Sequence, residues 1–443
     1  MPLEDLLFRH RAIATAITLL SCFALYRAYR RGNLLSGVAG LHSSVLLFMG
    51  IGPFAYTYLP DYAERIGFET LFSSLVIPYT YFLVGYAIEV CLEQFAFRRK
   101  AKAERFSLDD IDVPTVFFFG FLSLVGYTFS LFEFTRSGVG TIFQVLSTFL
   151  YPVIVIAVIA YRPKDIMSNI VTLAVLGIAG YFAIFSIWRS QLIMLLGAVG
   201  IGAIFRSRSG FVIFGVLGII ILYVVLPFQQ LKKLNSERFF EDPEVFFYAS
   251  MDMSMENRNS LVTEFLGIRM NGARELAYVQ AALDSGLISL RGGAGYADAA
   301  LQLIPRLVWP SKPSFNQTTG FLLPREIELV SWDDPYTSWG VNFWAEIAVN
   351  YSYKMLLILV PIFFFGAGWV DAALNRIIKH QGNRWIATAT LFFMFLQLVS
   401  IVNFVTYLLW FFLVIVISDH LSGSLGSNRR SLWVHENPAL RGS

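Results

Sequence analysis

Apolar runs of about 20 residues recur along this chain, and they decide what it can become. A run of that length matches the hydrocarbon thickness of a bilayer when coiled as a helix. Inside lipid every backbone N–H and C=O must be satisfied within the segment, which a helix does by itself. The runs fall at 11–28, 34–56, 71–92, 114–133, 141–161, 167–187, 190–206, 210–228, 350–374, 385–402 and 404–420. They predict an all-α polytopic membrane protein with about eleven transmembrane helices. Charged residues make up only 15% of the 443-residue chain, against about a quarter in soluble domains, so a soluble globular fold is excluded. A membrane β-barrel would show short alternating strands instead. The first run lacks a small-residue cleavage site and reads as a retained span. The two cysteines, Cys22 and Cys91, lie in or beside apolar runs, which argues against a disulfide framework and a Cys-based metal site.

Basic clusters set the orientation. Arg27, Arg30 and Arg31 follow the first span, Arg98, Arg99, Lys100, Lys102 and Arg105 the third, and Arg162 and Lys164 the fifth. Arg206 and Arg208 follow the seventh, and Arg376, Lys379 and Arg384 the ninth. All fall on one side, which the positive-inside rule makes cytoplasmic. Arg9 and Arg11 pull the other way, and the first eleven residues are also compatible with an interfacial helix. This topology divides the chain into an N-terminal bundle of about eight helices at 1–228, a large extracytoplasmic loop at 229–349, C-terminal helices at 350–420 and a cytoplasmic tail at 421–443. The net charge of +3 gives no reason to expect a nucleic-acid partner.

The loop reads as a cap of short helices. Leu276, Val279 and Leu283 form an i, i+3, i+7 stripe that Gly286 ends. A second helix is expected over 296–304, stopped by Pro305. Then comes "IPRLVWPSKPS", in which Pro305, Pro310 and Pro313 stiffen the backbone around Arg306, Trp309 and Lys312. Cations on a stiff backbone lose less entropy on meeting an anion. Other loop cations include Arg258, Arg269, Arg274, Arg291 and Arg325; most of these should be surface or ion-paired groups. Arg258 and Arg269 share a face if one regular helix runs through both.

Two further features bear chemistry. Arg189 stands at the tip of a tight hairpin, on the side of the large loop. An Arg there either forks onto phosphate oxygens or anchors the hairpin tip at the interface. Asn342, Glu346, Asn350 and Lys354 recur every four residues as the chain returns to the membrane, so on one helix they make a polar stripe. A half-buried carboxylate in that stripe suits general acid–base work, while a packing ladder between helices explains the spacing equally well. Asp333 and Asp334 are the other carboxylates nearby, in an Asp-Asp-Pro that also reads as a turn. The chain has no Walker loop, dinucleotide fingerprint or zinc-type His pair.

Taken together, Arg189 at an outer helix tip, "LIPRLVWPSKPS" and "YTSWGVNFWAEIAVNYSY" resemble the bacterial O-antigen polymerase (oligosaccharide repeat-unit polymerase) family. The matching positions are Pro305, Arg306, Trp309, Pro310, Lys312 and Pro313, then Gly340 and Glu346; Arg189 and Gly200 fit an Arg-x10-Gly spacing once. The resemblance implies a glycosyltransferase-C-like fold in the bacterial inner membrane, with a periplasm-facing site and no metal or other cofactor. It implies transfer of a glycan from an undecaprenyl-diphosphate carrier onto a second lipid-linked repeat unit. A chain-length regulator and a flippase would be its protein partners. On that reading Arg189, Arg306, Lys312, Arg269 and Arg274 hold the diphosphate, with Arg189 also catalytic. Glu346 is the first candidate for the base, Asp334 the second, and Trp309 and Trp332 stack on sugars. The rivals are an O-antigen ligase, whose pattern uses a loop histidine that this loop lacks, and another polyprenyl-dependent sugar transferase using Asp61 and Glu64. Outside that class stand a lipid-linked oligosaccharide flippase or polysaccharide exporter, and a non-enzymatic assembly partner.

Overall fold

A computed structural model of the chain describes residues 3–31, 34–59, 113–131, 146–147, 149–161, 165–185, 189–207, 209–234, 242–302, 304, 309, 311, 319–327, 331–332, 342–396, 404, 408–409 and 411–420. Every regular element among them is helical. Four helices are long and apolar enough to cross a membrane: Glu4–Arg30, Gly37–Tyr56, Gly210–Lys232 and Ile358–Ile377. Shorter apolar helices at Thr115–Phe129, Leu150–Ala160, Ser168–Tyr181, Leu192–Arg206 and Phe411–His420 fall within five of the other expected runs. The run at 71–92 lies outside the described residues. Many outward side chains are apolar, among them Leu19, Phe23, Leu173, Val212, Ile219 and Phe365. A water-facing surface does not carry so continuous an oily face.

The first two helices form a hairpin. Helix α1 (Leu3–Arg30) is unbroken from Leu3, so residues 3–11 are part of it and not a separate interfacial helix. Helix α2 (Gly37–Tyr56) begins with Ser36 as N-cap, its hydroxyl accepting from Ala39 N at 3.1 Å. It contains a π-turn at Leu46–Ile51. Arg11 closes the open end of the hairpin: Nε donates to Thr57 Oγ1 at 2.9 Å and Nη2 to Thr57 O at 3.2 Å, while the guanidinium lies over the Tyr58 ring. Thr57 caps the C-terminus of α2, where a cation is favoured.

The remaining helices are α3 (Val113–Leu131), α4 (Leu150–Ala160), α5 (Ile166–Phe185), α6 (Arg189–Arg206) and α7 (210–234), the last with a π-turn at Ile221–Val225. After the loop come α14 (Leu356–Ile377), α15 (Gln381–Leu396) and α16 (Phe411–His420). At the turn of the α1–α2 hairpin, Tyr29 meets Phe211 edge to face at 5.1 Å. Asp371 of α14 accepts from Gly37 N at 3.0 Å and Val38 N at 3.3 Å, capping α2 from across the bundle. At the other end of the hairpin, Gly52 lies against the Met270 backbone of the large loop. Arg27, Arg30 and Arg31 therefore sit at the hairpin end opposite to the one that meets the loop.

Within the loop the described helices are α8 (Pro243–Met251), α9 (255–269, ending in a π-turn), α10 (Gly272–Asp284), α11 (Ala294–Gln302), α12 (Thr319–Glu326) and α13 (Phe343–Tyr351). The Leu276–Val279 face of α10 is wholly buried, and Gly286 follows at φ +73°, a conformation only glycine adopts without strain. The second expected helix runs over Ala294–Gln302. The polar stripe does not continue on one helix. Ser352 stands at φ 81°, ψ 157°, which ends α13 at Tyr351, and Lys354 falls on a separate 3₁₀ turn. Nor do Arg258 and Arg269 share a regular helix face, because the π-turn at Phe265–Arg269 changes the register between them.

Candidate functional site

Helix α13 carries the polar stripe, and its first eight residues, Phe343 to Asn350, are all buried. Helices α10, α11 and α14 pack against it. Ala273, Leu276 and Val279 of α10 belong to the same core, as do residues of α14. Phe343 and Phe363 meet at 4.2 Å between ring centroids.

Asn342 and Asn350 fasten the two ends of this helix. Asn342 is its N-cap: Oδ1 accepts from Ala345 N at 3.0 Å, and Nδ2 donates to Gly272 O at 3.0 Å. Its backbone N–H donates to Glu275 Oε2 at 2.7 Å. The N-termini of α10 and α13 are thus joined through one asparagine and one carboxylate. At the other end Asn350 donates through Nδ2 to Glu346 O at 2.9 Å and accepts from Gly295 N at 3.1 Å. Arg291 N donates to Val349 O at 3.0 Å, and the Arg291 guanidinium pairs with Glu326 of α12. Asn342→Ala removes the cap and the bond to Gly272. It is expected to cost about 1–2 kcal/mol, read as a lower melting midpoint of the purified protein in detergent.

Glu346 lies between these anchors with no exposed surface. Its charge reaches Tyr296 of α11. That phenol is pushed above the ordinary tyrosine range, first by burial, then by the Glu346 carboxylate and Tyr351. Tyr296 stacks on Tyr351 at 5.4 Å with an interplanar angle of 14°. In this conformation a substrate hydroxyl reaches Glu346 only if the cap opens.

The other expected site residues are distributed as follows. Arg274 sits in the first turn of α10, beside Glu275, and is 8% exposed. Its guanidinium lies 5.2 Å from the Tyr278 ring centroid, and Nη1 is 3.5 Å from Ile268 O. Arg269 ends the π-turn of α9 and is exposed. Arg189 opens α6; its side chain lies outside the described residues, as do Arg306, Lys312 and Asp334. Near the hairpin tip formed by α5 and α6, Lys232 Nζ donates to Ile184 O, which ties the end of α7 to the C-terminus of α5. Trp309 is half-buried, its Nε1 donating to Ser311 Oγ at 3.0 Å, and Trp332 is 63% exposed. Among the described residues the structure joins Glu275, Asn342 and Glu346 through the α10–α13 contact, with Arg274 next to Glu275 on α10 but directed to Tyr278 and Ile268 O. Among those same residues no three His, Cys, Asp or Glu side chains converge as a metal would require.

Two contributors escaped the sequence. Glu275 acts on a backbone N–H, and Tyr296 comes from a different helix. Of these only Glu275 had a signal, because Asn271 ahead of the apolar stripe marks the start of α10. A scan against protein-family models, a search of curated proteins and a search of solved structures each returned no match.

Proposed function

We propose that this chain is an integral-membrane glycosyltransferase that polymerises undecaprenyl-diphosphate-linked oligosaccharide repeat units into a surface polysaccharide. It would act at the outer face of a bacterial inner membrane, with about eleven spans and a glycosyltransferase-C-like arrangement. The observation that carries the reading is the α10–α13 junction. It holds a wholly buried carboxylate, Glu346, in a loop cap whose adjoining helix carries Arg274 in its first turn. A buried base, and cations to meet the leaving diphosphate, are what metal-free glycosyl transfer needs.

In the proposed step an acceptor sugar hydroxyl attacks the anomeric carbon of the donor. Glu346 takes the hydroxyl proton, with Asp334 as the second choice. The bond from the anomeric carbon to the diphosphate oxygen breaks, and the lipid diphosphate leaves with the electron pair. Arg189, Arg306 and Lys312, with Arg269 and Arg274 behind them, would hold the growing negative charge. Trp309 and Trp332 would stack on sugar rings.

One observation favours a second reading. Glu346 sits in the packed interior between Asn342 and Asn350, where a polar ladder that holds the cap together would also sit. Polymer length in cells carrying Arg189→Ala or Glu346→Gln, at normal protein level, separates the two. Loss of a positioned anion donor lowers such a rate about 10²–10³-fold, and loss of the base about 10²–10⁴-fold. Both variants are expected to leave short products only. Full-length polymer in both overturns the proposal.

A further inference from the structure

The first helix of the loop has the wrong surface for a water-facing domain. On α8, Val245 is 56% exposed, Phe247 47%, Tyr248 64% and Met251 49%. Met255, just beyond the turn, is also exposed. A patch of this kind marks an interaction surface.

The geometry ties that patch to the membrane-facing part of α7. Along residues 211–220 the side chains of α7 are exposed or half-exposed, including Phe211, Val212, Val216 and Ile219, and from Val225 to Pro227 they are buried. The cover comes from α8 and α9, which pack on the later part of α7. Arg258 of α9 fixes their depth. It donates from Nη1 to Tyr223 O, inside the π-turn of α7, and from Nη2 to Met251 O at 2.7 Å, at the C-terminus of α8. Tyr223 OH donates to Asn259 Oδ1 at 3.1 Å. The C-terminal end of α8 is therefore held at a residue of the apolar span, and its outward side chains continue the span's apolar surface. Of the exposed polar groups of this region, Asp242 and Glu244 stand at the start of α8, and Asp252, Glu256, Asn257 and Asn259 lie on the turn and on α9, so the body of α8 turns apolar side chains outward.

We propose that α8 is a lipid-contacting helix, set at the headgroup–acyl boundary with Val245, Phe247, Tyr248 and Met251 among the acyl chains. The loop then begins in the membrane and not above it. This rests on the reading of α7 as a membrane span, and it is independent of the proposed catalytic activity.

The test uses nitroxide side chains in proteoliposomes of phosphatidylethanolamine and phosphatidylglycerol. Cysteine is introduced singly by Tyr248→Cys, Phe247→Cys or Ile219→Cys in a full chain carrying Cys22→Ser and Cys91→Ser. Each is labelled in detergent and then reconstituted with the water-soluble relaxant NiEDDA on both sides. At 247 and 248 oxygen should exceed NiEDDA several-fold in collision rate, as at Ile219→Cys. NiEDDA dominant at both loop positions, with oxygen dominant at 219, overturns the proposal and leaves the span intact. Low accessibility to both relaxants at 247 and 248 overturns it in favour of a protein partner or a second copy. NiEDDA dominant at all three overturns the membrane reading of α7, and the proposal with it.

Discussion

Arg258→Ala is expected to be among the most destabilising single changes in this protein. The guanidinium serves four backbone carbonyls at once. Nε donates to Met253 O at 2.9 Å, Nη1 to Tyr223 O, and Nη2 to both Ser250 O and Met251 O. Tyr223 lies in a π-turn, whose wider spacing turns a carbonyl away from the ordinary helical donor. Ser250 and Met251 end α8, where carbonyls have no helical partner. Alanine leaves these acceptors unpaired in a place that is 7% exposed at Arg258 itself. The cost should be about 3 kcal/mol or more, lowering the melting midpoint in detergent by about 3 °C or more. Lysine should recover only part of it, because one ammonium cannot span the fork of acceptors. An unchanged midpoint for Arg258→Ala would mean that the clamp contributes nothing to the fold.

Gly52→Ala should be as severe, for a steric reason. A Cβ at Gly52 would lie 1.7 Å from Met270 O and 2.4 Å from its carbonyl carbon. Both are backbone atoms and have no rotamer to turn aside, so α2 and the 270–271 turn must part. Overpacking of this kind costs about 3 kcal/mol. It also pulls on Gly272 and the Asn342 cap next to that turn, so the variant should lose helix-cap protection in hydrogen exchange at 342–346 as well as heat stability. Gly177→Ala on α5 is the matched control: nothing lies within 4 Å of its added Cβ, so its midpoint should hold or rise slightly. Equal melting of Gly52→Ala and Gly177→Ala would show that the close approach is not required.

The all-helical, apolar architecture was legible because the length and oiliness of a run are set by the bilayer and need no partner residues. The α10 stripe and its stop at Gly286 were legible because burial and positive φ both leave marks in residue type. The break at Ser352 left none. A serine in a four-residue polar rhythm gives no sign of positive φ, so the stripe looked continuous through Lys354. Arg258 was grouped with surface cations because its acceptors are carbonyls, which every residue has and no sequence pattern displays. Helix α8 is too short, at nine residues, to register as a span, so its apolar character was absorbed into the loop. Of the candidate site, Glu346 could be placed by spacing; its anchors on Glu275, Gly272 and Gly295 depend on which loop helices meet.

The Asp371 contact carries a consequence for how the chain is made. Its carboxylate closes the N-terminus of α2 across a sequence separation of 334 residues to Gly37. A ribosome releases Gly37 and Val38 long before Asp371 exists, so the second span enters the bilayer with these two backbone donors left to interfacial water. The early helices wait for the late ones. A chain that stalls before α14 leaves the opening hairpin without its carboxylate cap, however well its helices have inserted.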